Sequence, residues 1–333
     1  MGLVALSNYV LSCMHQNAIA KTVQAFAAYI FIAGILMKRI SPIIFLLAIA
    51  IVLSACGNNG NNNSNGSAPG EDKMQAVQAA AGHGEEAPAF ATILAGDHRT
   101  AENKARDVYR HPVETLGFFG LKPDTTVVEI WPGGGWYTEI IAPYVRDKGK
   151  YIAAGFDPDS EIEFIRQAAA RYQAKLAEHP ELYDQVEPAV LMPPDKLDFV
   201  SPESVDLILT FRSIHNWMPR GNQDAMAAAM YKALKPGGVL GVVEHRGIPA
   251  VPQDLEAKTG YINQEFAIEI FEKAGFVLNG SSEINANPAD TKDHPEGVWT
   301  LPPTLRLKEQ GRETYLGIGE SDRFTLRFIK PSN

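Results

Sequence analysis

The stretch that most constrains this chain is Val127-Val128-Glu129-Ile130-Trp131-Pro132-Gly133-Gly134-Gly135. The β-branched apolar run from Thr125 to Trp131 reads as a buried strand. Pro132 and three glycines break it, and Trp136 to Tyr144 resumes with helical spacing. Strand, glycine turn and helix together open an α/β sheet. The glycines let the backbone approach a ligand, and the helix start offers N–H groups to its anionic part. Alone, the same glycines suit an ordinary tight turn, so their weight depends on the order of the elements downstream.

Downstream of Tyr144, strands and helices alternate. One or two helices over Ala101–Leu116 precede the first strand. Further strands are expected at Tyr151–Phe156, Pro188–Met192, Val205–Phe211 and Val239–Glu244. Helices are expected at Ser160–Glu178, Asn222–Leu234 and Asn263–Ala274, the last ended by Gly275. Lys235-Pro236-Gly237-Gly238 reads as a turn into the fifth strand, and Phe276–Ile284 with Arg323–Lys330 as a closing pair. The 38 residues from Asn285 to Asp322 form a connection long enough to be functional. We expect a lid or acceptor-binding wall there, with Asn285, Asn287, Asp290 and Asp293 facing a pocket; a surface excursion without function is the alternative.

The sequence resembles the Rossmann-like (class I) S-adenosylmethionine-dependent methyltransferases and, more narrowly, a family of exported predicted methyltransferases. The likeness spans about Thr92 to Pro331. It rests on His111-Pro112, Gly117-Phe118-Phe119-Gly120, Glu129 to Tyr137, Phe211-Arg212-Ser213-Ile214-His215-Asn216-Trp217, Leu234 to Gly238 and Glu244-His245-Arg246, with Asn285 to Pro288 and Gly319 to Asp322 late in the chain. The resemblance implies a three-layer α/β sandwich around a mostly parallel seven-stranded sheet with an antiparallel last strand. It also implies S-adenosylmethionine as cofactor, with Glu129, Gly133, Gly134 and Gly135 at the methionine end, Asp157 on the ribose hydroxyls and Asp195 on the adenine side. The chain departs from the pattern twice: Trp131 replaces the first glycine, and Pro193-Pro194 occupy the usual acidic position.

The fourth and fifth strands deliver His215, Asn216, Trp217, Glu244, His245 and Arg246 to the carboxyl edge of the sheet. His215 or His245 can serve as base for an acceptor that must lose a proton, or each can be a hydrogen-bonded strand-end histidine. Asn216, Trp217, Asn285 and Asn287 are the expected acceptor contacts. A metal held by His215, Glu244 and His245, with His294 or Asp293, is chemically possible, but no dense ligand spacing supports it and no metal is expected.

The amino terminus carries a different message. Residues 1–56 hold no Asp or Glu and only Lys21, Lys38 and Arg39 as basic residues. From Met37 they run basic, then apolar from Ile43 to Leu53, then Ser54-Ala55-Cys56, the order of an export signal ending in a lipobox-like cysteine. Met37 is the favoured true start, a hydrophobic arm over 1–36 the alternative. Cys56 is the expected lipidation site, residues 57–91 a flexible Asn/Gly/Ser/Ala-rich tether, and 92–333 the methyltransferase-like domain. This predicts an extracytoplasmic, membrane-anchored lipoprotein. Cys13 and Cys56 are the only cysteines, so the domain has neither disulfide nor thiolate metal site. A net charge of −9 argues against nucleic acid as partner; a small-molecule or lipid acceptor is expected, and no obligate protein partner. Because S-adenosylmethionine is a cytoplasmic metabolite, a non-catalytic or differently liganded binding lipoprotein is the competing reading. A nicotinamide-dependent oxidoreductase ranks last, since Trp136-Tyr137-Thr138 after Gly135 does not continue the required glycine pattern.

Overall fold

The computed structural model describes residues 87–249 and 251–332. The expected export signal, the expected lipidation site Cys56 and nearly all of the expected tether lie outside the described residues. The first described helix, α1 (Ala87–Ala95), starts ahead of the expected boundary at Thr92, and its Phe90 stacks on Tyr144 at 4.1 Å.

Three short helices follow where one or two were expected: α2 (Ala101–Lys104), α3 (Asp107–Arg110) and α4 (Pro112–Phe119). Between α3 and α4, His111 adopts φ 40°, a left-handed backbone that a residue before proline seldom takes. Then come β1 (Thr126–Ile130), α5 (Thr138–Val145), β2 (Lys150–Gly155), α6 (Glu163–Glu178), α7 (Pro180–Tyr183) and β3 (Val186–Val190). The chain continues through β4 (Val205–Phe211), α8 (Ile214–Trp217), α9 (Gln223–Ala233), β5 (Leu234–His245), α10 (Gln264–Lys273), β6 (Val277–Ser282), α11 (Arg312–Ile318) and β7 (Arg323–Ile329).

The strands form one sheet in the order β3-β2-β1-β4-β5-β7-β6, parallel from β3 to β5, with β7 antiparallel to both β5 and β6. The expected mostly parallel seven-stranded sheet with an antiparallel last strand is what the chain builds. Both faces are covered, as the continuous apolar runs require. In β1, Val127 joins the cluster of Leu116, Phe119, Ile140 and Tyr172, while Val128 and Ile130 join that of Met226, Met230, Ile270 and Phe271. Gly241 of β5 lets α4 close in, since a Cβ there would lie 2.6 Å from the Phe119 ring. Lys235 to Gly238 did not form a turn ahead of the strand. They lie within β5 as an irregularity, where Val205 pairs with Leu234 but Leu207 with Val239.

Chain reversal after β1, with β2 on one side and β4 on the other, sets the crevice of the sheet at the carboxyl ends of these strands. One ion cluster closes the fold around it. Glu320 accepts from Arg106 Nε at 2.6 Å, from Arg110 Nε at 3.0 Å and from Arg323, tying the early helices to β7. Burial opposes the charge on Glu320, yet the guanidinium groups of Arg323, Arg110, Arg106 and Arg212 overcome it and hold its carboxyl well below the usual carboxylate range. Glu320→Gln leaves buried guanidinium groups without their counter-charge, so unfolding in urea should show a loss of about 3–5 kcal/mol. A loss within error of zero would mean the cluster does not hold these elements together.

Candidate functional site

The glycine turn begins with strain. Trp131 has φ 49°, a left-handed conformation costing a bulky residue about 1–2 kcal/mol. Its indole N–H donates to Leu191 O at 2.8 Å, and its ring meets Phe156 at 5.2 Å and Trp217 at 6.3 Å. The indole therefore reaches from the end of β1 past β2 to the residue following β3. Beside it lies a cavity of about 650 Å³, lined by Trp131, Pro132, Gly133, Gly134, Phe156, Pro158, residues of α6 including Phe164 and Tyr172, and Pro188 to Val190 of β3. That volume falls within the range of small-molecule sites.

The three glycines divide in role. A Cβ on Gly134 would meet nothing within 4 Å, and one on Gly133 only Trp131 O at 3.9 Å, so both face open space. At Gly135 a Cβ would lie 2.8 Å from Lys175 Cδ, and its own N–H is spent on Pro132 O. Gly135 serves the packing of α6 and is not part of the cavity wall, contrary to its expected place at the cofactor. Glu129 is likewise indirect. Tyr151 OH donates to its carboxylate at 2.5 Å, and Thr138 Oγ1 links Tyr151 to Tyr172 on the cavity wall, at 2.9 and 3.1 Å. Burial pushes the Glu129 carboxyl up to about 7, against the bonds from Tyr151 and Thr138 and the charges of Arg212 and Arg110.

Asp157 stands just past β2 but is held by Lys196 Nζ at 2.6 Å and the Asp159 N–H at 3.1 Å; the Lys196 bond lowers its pKa. Asp195 is exposed on the Met192–Lys196 loop and does not line the cavity. The cavity thus runs from the glycine turn beneath α6, with the Trp131 indole in its wall.

On the other side of β1, the ends of β4 and β5 carry the histidines. Glu244, fully buried, accepts from the Ile214 N–H and the His245 N–H, both at 2.8 Å, and pairs with His215 Nδ1 at 3.1 Å. The imidazole centroids of His215 and His245 are 5.3 Å apart, and His245 Nδ1 lies 2.5 Å from Ser321 Oγ. Burial first, then the charges of His215, Arg323, Arg212 and Arg110, lower the His245 pKa well below its usual value, so it is neutral at pH 7. In the tautomer whose Nδ1–H donates to Ser321, Nε2 carries the free lone pair, and the same burial and arginines weaken its hold on a proton. Ligand atoms of His215, Glu244 and His245 lie within 4.8 Å of one another, the spacing a metal requires, but Glu244 already serves three donors. His294, weighed as a further ligand, is instead bound to Asp290 at 2.9 Å.

The expected acceptor contacts fare unevenly. Asn216 is exposed at the rim, whereas Trp217 is wholly buried in the core behind Trp131. Asn285 donates to Thr115 and Thr325 at 3.0 and 2.9 Å, and Asn287 donates to Ile318 O and Glu320 O at 2.9 and 2.7 Å. Both tie the long connection down and do not face a pocket. Asp290 is buried on Tyr261 OH and the Asp322 N–H, and Asp293 is exposed on Thr291. From that connection it is Trp299 that reaches the site, 6.0 Å from the His215 ring. Two arginines escaped notice in the sequence: Arg110, lying over Trp136 at 4.6 Å, and Arg212, at the end of β4. The motifs around them were visible; their convergence was not.

The strand order, with an antiparallel β7 between β5 and β6, is that of an open, mostly parallel Rossmann-like α/β sheet. No family model and no curated protein matches the chain. Among solved structures it is similar to a SAM dependent methyltransferase from Aquifex aeolicus, at 17% identity over 68% of this chain and 93% of that one, with TM-score 0.46. It is also similar to a geranyl diphosphate methyltransferase in complex with SAM, at 14% identity over 72% and 94%, with TM-score 0.45. A third is phosphoethanolamine N-methyltransferase 2 of Haemonchus contortus, at 17% over 67% and 53%, with TM-score 0.44. Function has to be argued from this chain's own residues.

The raised pKa of Glu129 has a measurable consequence. Folding favours the neutral carboxyl, so the associated stability is complete below the unfolded value near 4.5 and is lost as pH rises toward 7. Between those limits Glu129→Gln, neutral throughout, should gain on the wild type by about 3 kcal/mol in urea unfolding. Parallel stability curves would contradict the burial of a protonated carboxyl.

Proposed function

We propose that this domain is an S-adenosylmethionine-dependent methyltransferase acting on a small or lipidic acceptor. The observation that supports the reading is the cavity walled by Gly133 and Gly134 at the crossover from β1, the kind of crevice in which open α/β sheets generally bind ligands. The residues fit a nucleoside there. Phe156 and Tyr172 offer aromatic surface, Gly134 leaves backbone exposed, and the Asp157–Lys196 pair, with Lys196 half-exposed, is weak enough to open. S-adenosylmethionine, when bound, supplies a methyl carbon activated by a sulfonium.

The chain's own part is positioning and proton transfer. Trp131 stands between the cavity and Trp217 at the base of the β4–β5 edge. His245, neutral and steadied by Ser321, takes a proton from the acceptor, while Glu244 fixes His215 and the backbone of both strand ends. The export signal leads us to place the domain outside the cytoplasm, anchored through Cys56 at the periplasmic face of a membrane.

A second reading, a non-catalytic binding lipoprotein, is favoured by one observation: Trp131, Phe156, Pro158 and Phe164 make the cavity largely apolar. Calorimetric titration with S-adenosylhomocysteine separates the two. The methyltransferase reading predicts saturable binding to the wild type and an affinity weaker by about ten-fold or more in Gly134→Leu, whose side chain enters open space. Folded wild-type protein that binds neither S-adenosylhomocysteine nor S-adenosylmethionine would leave the second reading in place.

A further inference from the structure

Three arginines converge on the carboxyl edge of the sheet without enough partners. Arg110 ends α3, Arg212 follows β4, and Arg323 begins β7. Arg110 and Arg323 are at least 97% buried, being 3% and 1% exposed, yet among the described residues Arg110 Nη1 and Arg323 Nε have no hydrogen-bond partner. Arg212 is the extreme case. Among the described residues its side chain makes neither hydrogen bond nor ion pair, and its Nη1 is buried. Its backbone sits at φ 57°, held by an N–H bond to Val243 O at 2.7 Å. A half-buried guanidinium whose inaccessible Nη1 has no partner among the described residues, on a strained backbone, is costly to folding, and such features gather where ligands bind.

The local charge has a definite sign. Arg106, Arg110, Arg212 and Arg323 all act on Glu320, the carboxylate that pairs with three of them. Glu129 is buried and protonated below about 7, and Glu244 is occupied by His215 and two backbone N–H groups. Arg110, Arg212 and Arg323 also suppress protonation of His245. The same field disfavours a metal cation at the nearby His215, Glu244 and His245, although their spacing would permit one. What the edge lacks is negative charge.

We propose that Arg110, Arg212 and Arg323 bind an oxyanion, the carboxylate or phosphate group of the acceptor, beside His245. Planar guanidinium groups with free N–H donors match either group. That the oxyanion belongs to a methyl acceptor rests on the methyltransferase reading; the oxyanion site itself does not. An anion held there brings a group attached to it within reach of His245, which gives the anion a role in orienting the acceptor. The same chemistry is offered by the amino-acid carboxylate of the cofactor, and the experiment must tell the two apart.

The full-length chain in mild detergent should be compared as wild type, Arg212→Met and Arg212→Lys. Inorganic phosphate is titrated by calorimetry and thermal unfolding, against sodium chloride of equal ionic strength. Phosphate should bind and raise the melting temperature of the wild type. In Arg212→Met its affinity should fall about ten-fold or more, while the melting temperature without phosphate stays equal or rises; Arg212→Lys should recover part of the binding. Absence of a phosphate effect on the wild type, an equal effect in Arg212→Met, or a phosphate-free Arg212→Met melting several degrees lower would each overturn the site. To assign the source, S-adenosylhomocysteine is compared with 5′-methylthioadenosine, which lacks the carboxylate. Unchanged affinity of Arg212→Met for both supports the acceptor, and selective weakening of S-adenosylhomocysteine overturns that assignment. If neither nucleoside binds the wild type while phosphate does, the methyltransferase reading fails and the oxyanion site stands without its link to an acceptor.

Discussion

Glu320 sits among four guanidinium groups and accepts hydrogen bonds from three of them, and much of the domain's upper edge is arranged by that fact. Through Arg106 and Arg110 it holds the helices that precede the sheet; through Arg323 it holds the start of the antiparallel strand. Arg110, so fixed, lies against Trp136 directly after the glycine turn. Arg99 approaches the same ring at 5.3 Å and clasps Asp107 with two bonds of 2.8 and 2.7 Å. The turn is thus braced by cation–π and ion-pair contacts from segments remote in sequence, so its shape is set before any ligand arrives.

Trp131 stands between the hollow and the histidine edge. At the end of β1 this chain carries an indole in a left-handed conformation, hydrogen-bonded to Leu191 and packed on Phe156 and Trp217. The hollow on the β2–β3 side is consequently displaced beneath α6 and largely apolar, and it leaves Asp195 outside. The β4–β5 side keeps the histidines, the arginines and Trp299.

Much of the fold could be read from the sequence because it depends on local patterns. The buried β1 run, the glycine break and the amphipathic α6 each announce themselves within a dozen or so residues. The Lys235-to-Gly238 segment misled because a proline and two glycines look the same in a turn and in an irregular strand start. The site was less legible. His215 and His245 do meet, since neighbouring parallel strands deliver them to one edge. The motif and the edge at which the long connection leaves the sheet point Asn285 and Asn287 toward a pocket, whereas in the structure Asn285 bonds the hydroxyls of Thr115 and Thr325 and Asn287 bonds the backbone of the connection itself. Arg212 stands within a legible motif, but its significance lies in the lack of a side-chain partner among the described residues, which only three-dimensional packing reveals.

A crystal structure determined with S-adenosylhomocysteine tests the central claim most directly. The nucleoside is predicted to lie within the hollow against Gly133 and Gly134 and beneath α6, with its sulfur directed past Trp131 toward the histidine edge. A complex in which that hollow is empty, the Trp131 indole is unmoved and the ligand lies elsewhere would contradict it.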